Sequence, residues 1–200
     1  MPRIVDHVRR REEIARLVVQ VIQEEGTEGA TMRRISKRGG FTIGVLAHYF
    51  KDKDQLLAFA FEWTAQRTFT ELEAATAPNP PGLAQLRAAL GYMVPAPGTA
   101  SFIAVWLGLW SGATRNASLA RTHEAYYRRW RGYLRGYLRD AVRRGEMAAG
   151  RSIRDATDIL AAGVDGLWLC SAFESQRFAA GRRRQLLDQL LSAVVASPAS

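Results

Sequence analysis

The chain has 200 residues, of which 48% are hydrophobic and 24% are charged, a balance typical of a globular protein with one or two domains. Its single cysteine, Cys170, excludes an intrachain disulfide and a cysteine-based zinc cluster. No apolar run reaches the ~18 residues that a membrane span needs, and the N-terminus lacks an apolar signal core. We therefore expect a cytoplasmic protein that does not contact a membrane.

The net charge of +9 favours a polyanionic partner, but its distribution does not identify that partner as DNA. Residues 1–60 hold 11 basic and 8 acidic side chains, whereas residues 115–145 hold 9 basic and 2 acidic ones. The basic excess therefore lies mostly in the second half of the chain.

Helical periodicity predicts a first helix before residue 30. Gly26 and Gly29 are expected to end this helix. Five apolar side chains recur on one of its faces: Ile14, Leu17, Val18, Val21 and Ile22. The basic run 9–11 lies at the start of this helix, where it is either a solvated helix end or a phosphate contact. The acidic pair Glu24 and Glu25 is interpreted as solvated.

Residues 31–53 have the pattern of a helix-turn-helix, with two short helices joined by a glycine turn. Thr31 is placed to cap the first helix, Gly39 and Gly40 to end it, and Thr42 to cap the second. Ile35 and Leu46 are the apolar residues that fix the crossing of the two helices.

The rest of the chain is also predicted to be helical, because it is rich in Ala, Leu, Arg and Glu and has few β-branched runs. Asp52 and Gln55 form a capping-box pattern for a fourth helix that runs to about Ala75. Prolines predict breaks at 77–82 and 95–98, on either side of a short helix. Further helices are expected at 102–112, 119–142, 153–173 and 182–195, of which 153–173 is apolar nearly all round.

These elements predict an all-α fold in two consecutive domains. The first is a three-helix helix-turn-helix head at 8–68, with its motif at 31–50, and the second is a helical body at 76–196. The final two helices carry more apolar surface than a monomer covers, which predicts that they pair with their copies in a four-helix dimer interface.

The motif resembles the DNA-binding signature of the tetracycline-repressor (TetR) family. The resemblance rests on Thr31, Ile35, Gly40, Thr42, Gly44, Leu46, Phe50, Lys53, Leu56 and Leu57. The HYF triplet at 48–50, WLGLW at 106–110 and VDGLW at 164–168 are similar to the choline and betaine repressor (BetI-like) subgroup. The chain departs from the family's usual residues at Ser36, Gly39, Phe41 and Ala47.

The resemblance implies a homodimeric repressor with an effector-binding and dimerisation body. We hypothesise that a small-molecule effector changes the angle of the fourth helix and so weakens operator binding. A dimer would bind two half-sites about one helical turn apart, ~34 to 36 Å, in a palindromic operator.

The second motif helix is expected to enter the major groove of DNA. The candidates nearest the base edges are Thr42, Ile43, Gly44, Val45, Ala47 and His48. Most are small or apolar, which suits contact with thymine methyl groups. Arg33 resembles a family position on the first motif helix and is a candidate to pair with O6 and N7 of a guanine. The phosphate contacts are assigned to Thr31, Tyr49 and Lys53. Phe50 is expected in the core, and packing in the core is the alternative for Tyr49.

Aromatic and acidic side chains of the later helices are candidates for an effector pocket. The set comprises Glu62, Trp63, Trp106, Trp110, Glu124, Tyr127, Asp165 and Trp168. Aromatic faces with a carboxylate can hold an organic cation, whereas the arginine-rich face of the helix at 121–144 favours an anion instead. The alternative is that these aromatic side chains only form the core.

Two other classes of protein are alternatives to a ligand-controlled repressor. An all-helical enzyme is disfavoured because the three histidines are far apart and no catalytic motif is present, so we assign no catalytic residue, metal or cofactor. A DNA-binding architectural protein without ligand control would use the arginine-rich helix as an additional DNA surface.

Overall fold

The computed structural model describes residues 7–94, 100–148 and 150–196, and every regular element in these ranges is a helix. In chain order the helices are α1 (His7–Gly29), α2 (Met32–Gly39), α3 (Ile43–Tyr49), α4 (Lys53–Thr76), α5 (Leu83–Met93), α6 (Ala100–Ala113), α7 (Ala117–Arg143), α8 (Ile153–Phe173) and α9 (Ala180–Val195). The all-α prediction is confirmed. The predicted break at 77–82 separates α4 from α5, whereas the break at 95–98 lies outside the described residues.

The first helix bends near its end and buries the predicted apolar stripe. Ile14, Val18, Val21 and Ile22 are fully buried, whereas Leu17 is half-buried. Gly26 has φ 73, a left-handed conformation that interrupts the helical backbone before Gly29. The stripe is therefore the surface by which α1 joins the core.

The helix-turn-helix forms as predicted because its ends are capped by side chains. The Thr31 hydroxyl accepts a hydrogen bond from the Arg34 N–H at 3.2 Å, and the Thr42 hydroxyl accepts one from the Val45 N–H at 3.2 Å. Gly40 ends α2 with φ 65. The predicted crossing residues, Ile35 and Leu46, and the predicted core residue Phe50 are fully buried.

The start of α4 is fixed by the predicted capping residues. The Asp52 carboxylate accepts a hydrogen bond from the Gln55 N–H at 2.8 Å, and the Gln55 side chain accepts one from the Lys51 N–H at 2.7 Å. The helix then continues for 24 residues. Its first part, through Arg67, belongs to a different compact unit from the remainder.

The chain folds into two compact units, which are not consecutive in sequence. One comprises Met1–Arg67 and Ala100–Tyr126, and the other comprises Thr68–Thr99 and Tyr127–Ser200. In the first unit α6 packs along α1, and Gly108 allows this close approach because a Cβ there would lie 2.4 Å from Thr27 Cγ2. The consecutive domains predicted at 8–68 and 76–196 stay a prediction. The two compact units differ from them, because α6 belongs to the unit that contains the helix-turn-helix.

In the second unit α8 packs against α9 and α5. A Cβ at Gly163 would meet the Leu190 side chain at 2.3 Å, so this glycine lets α8 and α9 come close. The Arg151 guanidinium donates to the Ala193 and Ala196 carbonyls, at 2.7 and 2.9 Å, and so caps the end of α9.

One expectation about α8 was wrong. No apolar stretch long enough to cross a membrane was expected, but this helix is long and apolar enough to do so by length and composition alone. The helix is also partly exposed, since Ile159 and Phe173 are 50% and 70% exposed. Its packing on α5 and α9 accounts for the apolar composition, since core helices have the same character.

Candidate DNA-binding site and effector site

The second motif helix, α3, exposes nearly all of its side chains. Ile43 is 52% exposed and Val45 is 39% exposed, and only Leu46 is buried within this seven-residue helix. The other candidate base-contacting residues are also exposed: Thr42, Gly44, Ala47 and His48. Large apolar side chains on a surface mark an interaction site, so α3 has the character expected of a recognition helix.

The arginines of α2 differ in whether an acidic side chain pairs with them. Arg34 Nε donates to Glu25 Oε1 at 2.9 Å, and Arg38 Nη2 donates to Glu24 Oε1 at 2.6 Å. The bond from Arg38 lowers the pKa of Glu24. In contrast, Arg33 is exposed and makes no ion pair with any residue that the structure describes. Arg33 is therefore the α2 guanidinium without an acidic partner among the described residues, and its pairing with a base stays a prediction.

These ion pairs add to one sequence interpretation. Glu24 and Glu25 are exposed, as expected for solvated carboxylates, but each also pairs with an arginine of α2. The partners are 14 and 9 positions apart, beyond the reach of helical i,i+4 rules. They meet because α2 packs against α1.

Each candidate phosphate contact is already held by a bond within the protein. Lys53 Nζ donates to the Glu28 carbonyl at 3.3 Å, and the Thr31 hydroxyl caps α2. Tyr49 is half-buried, and a hydrogen bond of 3.0 Å joins its Oη to His7 Nδ1. These bonds fix the positions of an ammonium and two hydroxyls beside α2 and α3, and their contacts with DNA stay predictions.

The basic run at the start of α1 is partly folded onto aromatic rings. The Arg11 guanidinium lies 4.3 Å from the centroid of Phe59, and that of Arg10 lies 5.1 Å from Phe41. From the sequence, only solvent or phosphate contact was expected for these side chains. The role of His7 was not expected, because its contact with Tyr49 spans 42 positions and has no local sequence signal.

Asp165 and Tyr127, two of the predicted effector residues, are in contact within the second unit. The Tyr127 hydroxyl donates to the Asp165 carboxylate at 2.8 Å. Burial raises the pKa of Asp165 from 3.8 to about 6, although the Tyr127 hydrogen bond and the nearby Arg131 charge both lower it. Arg131 itself donates to Asp158 at 2.9 Å.

Two tryptophans of the second unit have buried rings. Trp168 is 8% exposed. Trp130 is fully buried, and its indole N–H meets no acceptor among the residues that the structure describes. The second unit therefore contains a desolvated carboxylate, buried aromatic rings and an indole donor.

The remaining effector candidates lie in the first unit and have varied surroundings. Trp63 has two guanidiniums near its ring, from Arg16 at 5.8 Å and Arg67 at 5.0 Å. The ring of Trp106 packs 4.4 Å from that of Tyr126. Trp110 is half-buried, and Glu62 and Glu124 are exposed. Their roles in a pocket stay predictions.

The capped pair of short helices and the exposed apolar face of α3 define a helix-turn-helix DNA-binding protein. Residues 18–59 match the family described as bacterial regulatory proteins, tetR family, and residues 82–196 match the BetI-type transcriptional repressor C-terminal family. The chain therefore belongs to the TetR family of transcriptional regulators and carries a BetI-type C-terminal domain.

Individual relatives agree with this assignment. Over 67 residues the chain is 45% identical to the HTH-type transcriptional regulator PksA of Bacillus subtilis, a match that covers 34% of this chain and 33% of that protein. It is 30% identical to BetI of Burkholderia ambifaria over 182 residues, 86% of this chain and 87% of that one. A crystal structure of a Saccharomonospora viridis transcriptional regulator in complex with choline has the same fold, with a TM-score of 0.84, 18% identity, and coverage of 96% and 100%.

The half-buried carboxylate of Asp165 leads to a prediction about stability. Because the pKa of Asp165 is raised on folding, the stabilisation from its neutral form is complete below pH 3.8 and is lost as the pH rises through about 6. Asp165→Asn keeps an acceptor for Tyr127 and removes the charge. We expect it to raise the free energy of unfolding at pH 7 by on the order of 2 kcal/mol, and to have little effect at pH 4.

Denaturant unfolding at several pH values would measure this difference. Glu124→Gln, which neutralises an exposed carboxylate of α7, serves as the control and should change the free energy by less than ~0.5 kcal/mol. An Asp165→Asn variant that is no more stable than the wild type at pH 7 would contradict the desolvation argument.

Proposed function

We propose that this protein is a cytoplasmic, homodimeric repressor that binds a palindromic operator and is released from it by a small-molecule effector. The observation that supports this proposal most directly is that α3, next to the capped α2, exposes mostly small or apolar side chains, as a recognition helix does. The BetI-type C-terminal match supports repression and ligand control.

Base reading is assigned to α3 and to one residue of α2. Ile43 and Val45 would contact thymine methyl groups, and Gly44 lets the backbone approach the bases. Arg33 would pair with O6 and N7 of a guanine, because its guanidinium is exposed and is not held by an acidic residue among those described. Thr31, Tyr49 and Lys53 would set the register on phosphates.

The assignment of Arg33 is tested against its neighbour Arg34, since each substitution by glutamine removes one positive charge. We expect Arg33→Gln to lose ~1 to 3 kcal/mol of discrimination between operator and scrambled DNA. Arg34→Gln should leave discrimination unchanged, because it only breaks an exposed pair with Glu25. Fluorescence anisotropy, with DNA from upstream of the protein's own gene at fixed salt, measures both affinities.

Replacing single guanines by 7-deazaguanine then locates the contact, because this base lacks the N7 acceptor. The sensitive guanine should lose its effect in the Arg33→Gln variant and keep it in Arg34→Gln. If Arg33→Gln weakened operator and scrambled DNA equally, Arg33 would be a backbone contact. Equal binding of the wild type to both DNAs would favour the architectural alternative.

The proposed dimer interface follows from the exposed face of α8. Ile159, Ala162, Gly166 and Phe173 are all exposed and recur at helical spacing, so they form one stripe ~21 Å long. Two large apolar ends with small residues between them suit close packing against a symmetry-related copy.

Ile159→Glu is therefore expected to weaken the dimer by about 100-fold or more, because it buries a charge in the interface, and to weaken operator binding with it. Light scattering and anisotropy at micromolar concentration measure the two effects. Ala74→Glu, on an exposed position of α4, is the control and should remain dimeric. A wild type that is monomeric at this concentration would rule out the interface.

The proposed effector is an organic cation held near Asp165, Tyr127 and Trp168. A half-buried carboxylate that bonds to one aromatic side chain, on a helix that carries a buried tryptophan three positions later, suits a quaternary ammonium group by charge and by cation–π contact. The Saccharomonospora viridis regulator, which has the same fold, was crystallised with choline, and choline is therefore the first ligand to test.

We expect choline to release the wild-type protein from operator DNA, and the neutral analogue with carbon in place of nitrogen to fail. Asp165→Asn should raise the choline concentration for half-release by about tenfold or more without changing operator affinity. The wild-type response should also weaken as the pH falls through about 6 and Asp165 is protonated. Release by the neutral analogue at the same concentration would contradict a cation site.

A further inference from the structure

The Tyr49 side chain is held by a residue from the beginning of α1. A hydrogen bond of 3.0 Å joins Tyr49 Oη to His7 Nδ1, and the ring centroids lie 5.7 Å apart. The ring of His48 lies 6.1 Å from that of His7 and 5.1 Å from that of Tyr49. Phe50, the next residue, is fully buried and anchors the end of α3, and its ring lies 6.4 Å from that of Tyr49.

The direction of this hydrogen bond decides what Tyr49 can offer to DNA. A phenol has a single O–H proton, and it must donate that proton in order to bind a phosphate oxygen. If Nδ1 of His7 accepts the proton, none remains for DNA. If an Nδ1–H donates to Oη, the phenol proton stays available and points away from the imidazole.

We propose that His7 is a positioning residue for operator binding, whose Nδ1–H donates to Tyr49 Oη and directs the phenol proton toward a DNA phosphate. The inference rests on the proposed function, because it requires Tyr49 to contact the operator backbone. His7 does not itself touch DNA in this arrangement. It acts on the second motif helix from the start of α1, 42 positions earlier in the chain.

Two substitutions of His7 separate this bond from the ring and its charge. Asparagine can place an amide donor where Nδ1 lies, whereas glutamine places it near Nε2, and both remove the imidazole. We expect His7→Gln to weaken operator binding about three- to tenfold and His7→Asn to keep near wild-type affinity. Tyr49→Phe should lose as much as His7→Gln, and the double variant should lose no more than either alone.

The salt dependence of operator affinity supplies a readout that a merely structural role would not change. Loss of a neutral hydroxyl contact releases no counterion, so the slope of log affinity against log salt should stay the same in His7→Gln. The melting temperature should also stay the same, because both side chains reach the surface. Gln20→Ala, at another exposed position of α1, should bind operator like the wild type.

The inference would be overturned by equal losses in the asparagine and glutamine variants, or by additive losses in the double variant. A slope reduced by about one would also overturn it, because His7 would then be a charged phosphate contact. Full operator affinity in Tyr49→Phe would also overturn it and leave the repressor assignment intact. Failure of the wild type to prefer any operator would instead end the proposed function itself.

Discussion

Burial of the apolar stripe of α1 is the interaction on which the DNA-reading part of this protein depends. The stripe places α1 in the core, where it packs against α2 and α6. The same helix then supplies Glu24 and Glu25 to the arginines of α2, and His7 to the end of α3. Both motif helices are too short to be stable alone, so their positions depend on their contacts with this longer helix.

Local patterns predicted the helices and the motif because the relevant interactions span only a few residues. Thr31 and Thr42 each accept from an N–H three positions later, and Asp52 does the same at the start of α4. The buried pair Ile35 and Leu46 follows from the same short spacing, once the glycine turn is placed between them. Such features need no knowledge of the tertiary fold.

The contacts that shape the sites were beyond prediction because they join distant parts of the chain. Tyr127 and Asp165 are 38 positions apart, and their hydrogen bond exists only because the part of α7 from Tyr127 onward belongs to the same unit as α8. No local pattern in residues 100–126 indicates that they belong to the same unit as the head, because the apolar composition of α6 would suit packing in either unit. Exposure of Ile159 could not be read from α8 either, because a helix that is apolar nearly all round does not indicate which side lacks a neighbour.

The pairing of Arg34 and Arg38 with acidic residues also affects how this protein would search a chromosome. Binding to arbitrary sequence is driven by cations that replace counterions on the phosphates, and a guanidinium held by a carboxylate contributes little to this exchange. Arg10 and Arg11, folded over aromatic rings, are similarly restrained. Because these four arginines of the head are held in this way, they should add little to binding at arbitrary DNA sequences, which favours specific over non-specific sites.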